Sequence, residues 1–561
     1  MKSNSPSCVP GRFCLSIIFM VMVLAGIPPW SLGETNHGGP AALGQLGSIE
    51  FPASGSTEAH PHFLRGVAAL HSFWYEEAIE AFRRSTAIDS NFAMGYWGEA
   101  MAHNHPIWNE ENIEAARAAL QNIAHDSRLT VRERRYLKAA QTLFGEGEKL
   151  ARDQAYAAEM ERIAGEFPDD LEATCFYALS LLGLATHFND KPDIQEKYRV
   201  QAGAITLGVY GVNPDHPCAA HYTIHAFDDP IHAILALPQA RRYARIAPEA
   251  HHAQHMPAHI FVQLGMWDEA AASNKAGWES SRAWVRDKQL PLALQDYHSL
   301  QWLQYVYLQQ GRYNAAAALL LDKQGDMGQI SSSDSSQVLG YDRKVSRNYD
   351  QMVAAFIIET ERWNQARQPW QVKDIRFGDE SPAKAAYVRE FAESMAKIRN
   401  QGIALQIHPG AAPPEPERSA ESGQSTTSQI WNLQLAALKQ FSNGDFSRVT
   451  ELLDQATALE ESLPPPSGPP DLVKPTHELY GEILLFLDRP QEAQQKFERA
   501  LLWHPNRARS VLGLARAAGQ LGHIQATREA YATFLNIWNH ADSDLPELQE
   551  AKKFLQEPAQ P

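Results

Sequence analysis

The chain uses the same imidazole pair twice. His221 and His225 stand four residues apart in C-A-A-H-Y-T-I-H-A, and His255 and His259 stand four apart in H-A-Q-H-M-P-A-H-I. Each member of the second pair follows its counterpart by 34 residues. A four-residue spacing puts two side chains on one face of a helix. A fixed interval of this length is that of a two-helix unit, which cannot bury its apolar face alone and must stack on its neighbours. The chain is thereby confined to a line of packed helical hairpins, with the same two imidazoles at the same place in two successive hairpins.

The interval and its surroundings resemble the tetratricopeptide repeat. With Pro248 closing one unit, that unit starts at Pro217 and the next at His251, where Gly265, Trp267 and Ala270 take the turn-glycine, aromatic and small-residue positions. A third unit starts near Tyr297 with Gly311, Tyr313 and Ala316 in the corresponding places, and an early one carries Gly66, Tyr75, Ala78 and Phe82. Gly481, Ala493, Phe497, Ala500 and Pro505 repeat the pattern late in the chain. The expected fold is all-α, a tetratricopeptide-like α-solenoid in which antiparallel helix pairs form a superhelix.

Composition sets the divisions. Lys2 and Arg12, the apolar run over residues 15–27 and Ser31-Leu32-Gly33 have the order of a secretory signal peptide, so residues 1–33 read as a leader. Its apolar core is too short for a comfortable membrane span, and no later run approaches that length. Residues 34–58, rich in Gly, Ser and Pro, read as a flexible lead-in, and residues 59–370 as a solenoid with a His-lined groove. Residues 371–429 read as a helix over 381–402 followed by a Pro/Ser-rich linker, 430–541 as C-terminal repeats forming a contact or capping module, and 542–561 as a tail. The Pro-rich stretch 463–470 separates two late units. The mature protein is expected to be exported, periplasmic or extracellular, and not held in a membrane. A formal charge of −16 opposes nonspecific binding to nucleic acid or anionic lipid. Of four cysteines, Cys175 and Cys218 survive leader removal. One bridge between them is possible, and sequence does not place the two side chains.

Neutral imidazole is the commonest transition-metal ligand, and two on adjacent turns supply half of a four-coordinate shell. His221, His225, His252, His255 and His259 are therefore candidate metal ligands, with imidazoles from two stacked hairpins directed at a shared ion. Zinc or copper suits such donors; Cys218 and Met256, if they took part, would favour copper. The competing reading makes these groove or packing histidines whose ring nitrogens bond backbone and neighbours. Asp228 and Asp229 read either as carboxylates orienting the imidazoles or as a turn. Pro257 either kinks a helix or marks a helix start. H-E-x-x-H, G-x-S-x-G, the phosphate-binding G-x-x-x-x-G-K-[ST] and C-x-x-C are all missing from the sequence.

The segments L-H-S-F-W-Y-E-E-A, H-N-H-P-I-W, D-H-P-C-A-A-H-Y-T-I-H-A-F-D and A-P-E-A-H-H-A-Q-H-M-P-A-H-I-F resemble a family of exported bacterial tetratricopeptide-repeat proteins, over residues 59–310. The resemblance implies fold and export and carries no settled reaction. Its motif positions here are His71, His105, His221, Tyr222, His225, His252, His255, His259 and His298. In tetratricopeptide units, positions 2, 5 and 9 of the first helix face the concave groove. In this register His221 and His255 are position 5, His225 and His259 position 9, and Cys218, His252 and His298 position 2. His71, His105, Tyr222 and His298 are thus expected as groove or ligand residues. The expected function is binding of a transition metal or small ligand in the groove, together with a protein or peptide partner. A metal-free peptide scaffold and a metal-dependent enzyme are the alternatives.

Overall fold

The structure, a computed structural model, describes residues 45–123, 128–332, 341–361, 363, 382–400 and 425–557. The leader, the start of the lead-in, most of the Pro/Ser-rich linker that ends at residue 429 and the end of the tail lie outside the described residues.

The described chain is helical almost throughout, and most helices pack against the one before and the one after; Val131–Leu143 instead packs onto Ala93–Met101. Helix starts follow local chemistry. Proline occupies the first turn of Pro192–Val212, Pro217–Ala226, Pro257–Gln263 and Pro490–Trp503, where a missing N–H costs nothing. Asp170, Asp296 and Asp445 cap Leu171–Ala185, Tyr297–Gln309 and Phe446–Glu461 by accepting a backbone N–H. Thr130 and Glu133 form a reciprocal capping box on Val131–Leu143. Among the described residues the one sheet is a two-residue ladder, Asn104 opposite Glu111 and His105 opposite Glu110.

The repeat pattern has a steric reason. Phe82 of Tyr75–Ile88 lies against both Gly66 and Gly98, where an added Cβ would sit 2.6 and 2.2 Å from its ring. Phe497 lies between Gly481 and Gly513 in the same way, at 2.8 and 2.3 Å. In these two hairpins an aromatic ring is clamped between successive first helices, and only glycine leaves it room. This is the packing of a tetratricopeptide-like α-solenoid, and its starts at Pro217, His251 and Tyr297 coincide with the expected unit boundaries. The helix expected over 381–402 runs Pro382–Asn400.

Three expectations change. First, the late repeats do not stand apart as a separate module. Arg507, fully buried, donates to Glu478 at 2.8 Å, to Glu359 at 2.6 Å and to the Tyr305 hydroxyl at 3.1 Å, tying both arrays into one core. Trp538 donates its indole N–H to the Gln309 carbonyl at 3.0 Å, and Trp267 donates to the Asn506 carbonyl at 2.9 Å. Second, the 463–470 stretch does more than separate units. It lies over the concave side, where Gln263 donates to the Pro466 carbonyl at 2.7 Å and Gly468 presses on the Trp302 ring. Third, Leu171–Phe188 is long and apolar enough to cross a membrane by length and composition, but it is a core helix with 67% of that window buried in the solenoid.

Candidate functional site

The histidine cluster sits where the helices Pro217–Ala226, His251–His255, Pro257–Gln263 and Tyr297–Gln309 meet the concave side. Pro257 settles as a helix start. The chain breaks at Met256, whose N–H still reaches the His252 carbonyl at 2.9 Å, and resumes with proline in the first turn.

Each four-residue pair closes on itself. The Nε2 atoms of His221 and His225 are 3.0 Å apart, and those of His255 and His259 are 3.1 Å apart. The outer nitrogens are committed elsewhere. His221 Nδ1–H donates to the His71 carbonyl at 2.6 Å, so its Nε2 carries a lone pair. His255 Nδ1–H donates to Asn274 Oδ1 at 2.7 Å, and the Asn274 amide is oriented by its own donation to the Ala270 carbonyl at 2.9 Å. His259 Nδ1–H donates to the Asp228 carboxylate at 2.6 Å. With both rings neutral, two lone pairs face each other across 3.1 Å between His255 and His259. That contact is repulsive unless a proton or a metal ion lies between them. Two imidazoles on one tetrahedral ion at ordinary metal–nitrogen distances have nitrogens about 3.3 Å apart.

Burial makes four of these rings poor proton acceptors. Burial holds His221 down at about 3, against the raising effect of its bond to the His71 carbonyl. Burial, then the neighbouring imidazoles, puts His225, His252 and His255 well below the ordinary histidine range. These rings are neutral near neutral pH, the form in which imidazole can ligate a metal. Burial alone would raise Asp228, but His259 and Arg199 hold it below the usual carboxylate range, so it remains an anion orienting its imidazole. Of the two readings of Asp228, the orienting carboxylate is the one the geometry matches; Asp229 makes the turn by accepting from the N–H groups of Ile231 and His232.

The five expected ligands do not converge on one point. They divide into His221, His225 and His252, and His255, His259 and His298, with the ligating atoms of each group within 4.8 Å of one another. His252 joins the preceding helix's pair, although its sequence neighbour at helical spacing is His255. His298, expected only as a groove residue, completes the second group. Trp302 packs on His259 with ring centroids 4.2 Å apart, and Phe73 on His221 at 4.3 Å, so aromatic walls back both groups. A cavity of about 860 Å³ opens beside them, bounded by His225, His252, His259, His298, Trp108 and the prolines of the 463–470 stretch.

The other expected groove residues lie elsewhere. His71 is fully buried behind the site, donating Nε2–H to Glu172 at 2.5 Å and accepting at Nδ1 from the Tyr222 hydroxyl at 2.8 Å. Tyr222 is equally buried and does not line the cavity. Glu172 also accepts from His216 at 3.1 Å, and despite burial these imidazoles hold it at about 2. His105 stacks on Tyr75 at 3.8 Å, with Trp108 between it and His252. Cys218 is no ligand beside the histidines; it is disulfide-bonded to Cys175 in the core. Sequence reasoning missed Asn274 and Trp302. Trp302 follows His298 by one helical turn, which is a readable signal; Asn274 sits in the intervening helix without one.

No family model matches the chain, and no curated protein sequence matches it. Among solved structures the chain is similar to the human IFIT1 dimer with PPP-AAAA, at 13% identity and TM-score 0.32, covering 89% of this chain and 90% of that one. It is also similar to Naa15/Naa10 bound to HypK-THB, at 11% identity and TM-score 0.20, covering 89% and 91%. Superpositions this loose carry no argument about function. The class of protein defined by the helices themselves is a tetratricopeptide-type helical repeat with histidine groups of metal-ligand composition.

Proposed function

We propose that this is an exported helical-repeat protein that binds a transition metal ion, zinc or copper, through the cavity-facing histidines. The observation that carries the reading is the His255–His259 contact, with both Nδ1 atoms engaged outward, on Asn274 and Asp228, and both Nε2 atoms facing each other at 3.1 Å. A carboxylate behind a ligating imidazole, as Asp228 stands behind His259, is the usual arrangement around such ions. Export is supported by the leader-like residues 1–33 and by the buried Cys175–Cys218 bridge, which suits an oxidising compartment. A protein or peptide partner is supported by a second groove of about 620 Å³ among the late repeats, lined by Leu485, Phe486, Leu512 and Phe554 beside the ion-paired Arg509 and Arg516.

The test is metal analysis of the purified mature protein beside a His221→Ala/His255→Ala variant. Stoichiometric zinc or copper in the wild type, lost in the variant, is the expected result. A wild-type protein that is isolated metal-free and also fails to take up added Zn²⁺ or Cu²⁺ refutes it and leaves a repeat scaffold with packed histidines.

A further inference from the structure

The division of the histidines follows a rule of the repeat. With unit starts at Pro217, His251 and Tyr297, His221 and His225 occupy positions 5 and 9 of one unit and His252 occupies position 2 of the next. His255 and His259 are positions 5 and 9 of that second unit, and His298 is position 2 of the third. Each group is therefore the same construction, positions 5 and 9 of one hairpin completed by position 2 of its successor. One step earlier, the helix that starts at Leu171 puts Cys175 at position 5, and Cys218 is position 2 of the following unit. Those two side chains are covalently joined, which shows how closely this step brings position 5 to the next position 2.

We propose that the histidines hold two metal ions, one on His221, His225 and His252 and one on His255, His259 and His298, forming a dinuclear centre that binds a small bridging anion such as hydroxide on its cavity side. The inference rests on the metal-binding reading and adds nuclearity and a ligand to it. Three neutral imidazoles leave a coordination position open on each ion. His252 Nε2 is buried without a hydrogen-bond partner, so the first group also has a nitrogen in want of a ligand. The two groups touch. Ring centroids of His225 and His259 are 5.8 Å apart, and those of His252 and His255 are 6.0 Å apart. Two-metal sites that share a ligand hold their ions about 3.5–4 Å apart, and adjoining imidazole shells permit that spacing. An all-imidazole donor set favours copper or zinc over hard ions.

Loading the full mature chain with Cu²⁺ tests it. The expected result is about two copper ions per chain, with EPR intensity well below that of two independent ions and a further change on adding azide as the bridging probe. His252→Ala and His298→Ala alter only partly exposed or exposed rings, so the fold has little to lose. Each is expected to retain about one copper with full, uncoupled intensity. One ion per wild-type chain, or two ions at full intensity both with and without azide, overturns the dinuclear centre while leaving metal binding in place. No copper at all overturns both readings.

Discussion

Replacing Asp228 with asparagine isolates the carboxylate behind His259 without changing its size. In the native protein Asp228 accepts from His259 Nδ1–H at 2.6 Å and from Gln263 Nε2–H at 3.2 Å, two donors converging on one acceptor group. An amide has one accepting oxygen and one donating nitrogen, so Asp228→Asn satisfies one of these partners and opposes the other. Gln263 has little freedom to turn, because the same Nε2 also donates to the Pro466 carbonyl at 2.7 Å. The imidazole therefore keeps at best a neutral bond in place of a charge-assisted one, which is roughly twice as strong. Loss of a partner of this kind behind a metal-bound histidine weakens affinity by about 10–100-fold, or about 1.4–2.8 kcal/mol.

The assay is competition with a chelator of known affinity, run on wild type and Asp228→Asn with the same metal. The expected result is a 10–100-fold weaker variant with its metal stoichiometry intact. A metal-free thermal scan separates this from unfolding, because the deficit should persist at temperatures where both proteins remain folded. Affinity unchanged within twofold would refute the reasoning that Asp228 orients a ligand, and would return it to the role of a turn residue.

Acid should destabilise the metal-free protein in two stages. Burial holds His504 at about 3 against an ordinary 6.5, so the unfolded chain binds the extra proton first and stability falls as pH drops below 6.5. Glu172, held at about 2 against 4.5, contributes stability that is full above pH 4.5 and is lost as pH falls toward 2, about 3 kcal/mol in all. Urea midpoints at pH 7, 5.5 and 4 should decline, and Glu172→Gln should start lower and flatten the stage below 4.5. Removing the disulfide, by Cys175→Ser/Cys218→Ser, should cost about 4 kcal/mol for a sequence separation of 43 residues, read as a lower denaturant midpoint. Arg507→Ala leaves Glu359 and Glu478 buried and short of their shared cation; a loss of about 3–5 kcal/mol is expected by the same measurement.

The register was legible because it is carried by small and aromatic residues whose spacing has a direct steric meaning. Gly66 and Gly98 around Phe82 follow the same rule as Gly481 and Gly513 around Phe497. From that register the helix starts at Pro217, His251 and Tyr297 follow, and so do the residues of the site. The grouping of the histidines was not legible. A repeat position says which face of a hairpin a residue occupies, but not which neighbour's side chain it meets, and that depends on how far each hairpin turns relative to the next. By spacing alone His252 is a helical neighbour of His255, while the stacking gives it to His221 and His225. Nor could the linker reveal the folding back of the late repeats. The ties are single long-range contacts, such as Arg507 to Tyr305, without periodicity.

A site built across a repeat step has a mechanical consequence. Each group takes two nitrogens from one hairpin and a third from its successor, so an ion bound there fastens the two hairpins together in one relative orientation. The protein matrix already specifies that orientation closely. An added Cβ at Gly277 would come within 3.1 Å of the Ser299 Oγ of the next hairpin, and that hairpin's Trp302 packs on His259 with ring centroids 4.2 Å apart. Sliding one hairpin on the next would break these contacts along with any metal shell. Metal at a hundredfold excess over its dissociation constant should then stabilise the fold by about 2.7 kcal/mol per site. That gain should appear as hydrogen-exchange protection in Pro217–Ala226 through Tyr297–Gln309, where the ligands reside. Protection spread evenly over the late repeats, or missing from the hairpins that carry the histidines, would show that metal binds elsewhere on the chain.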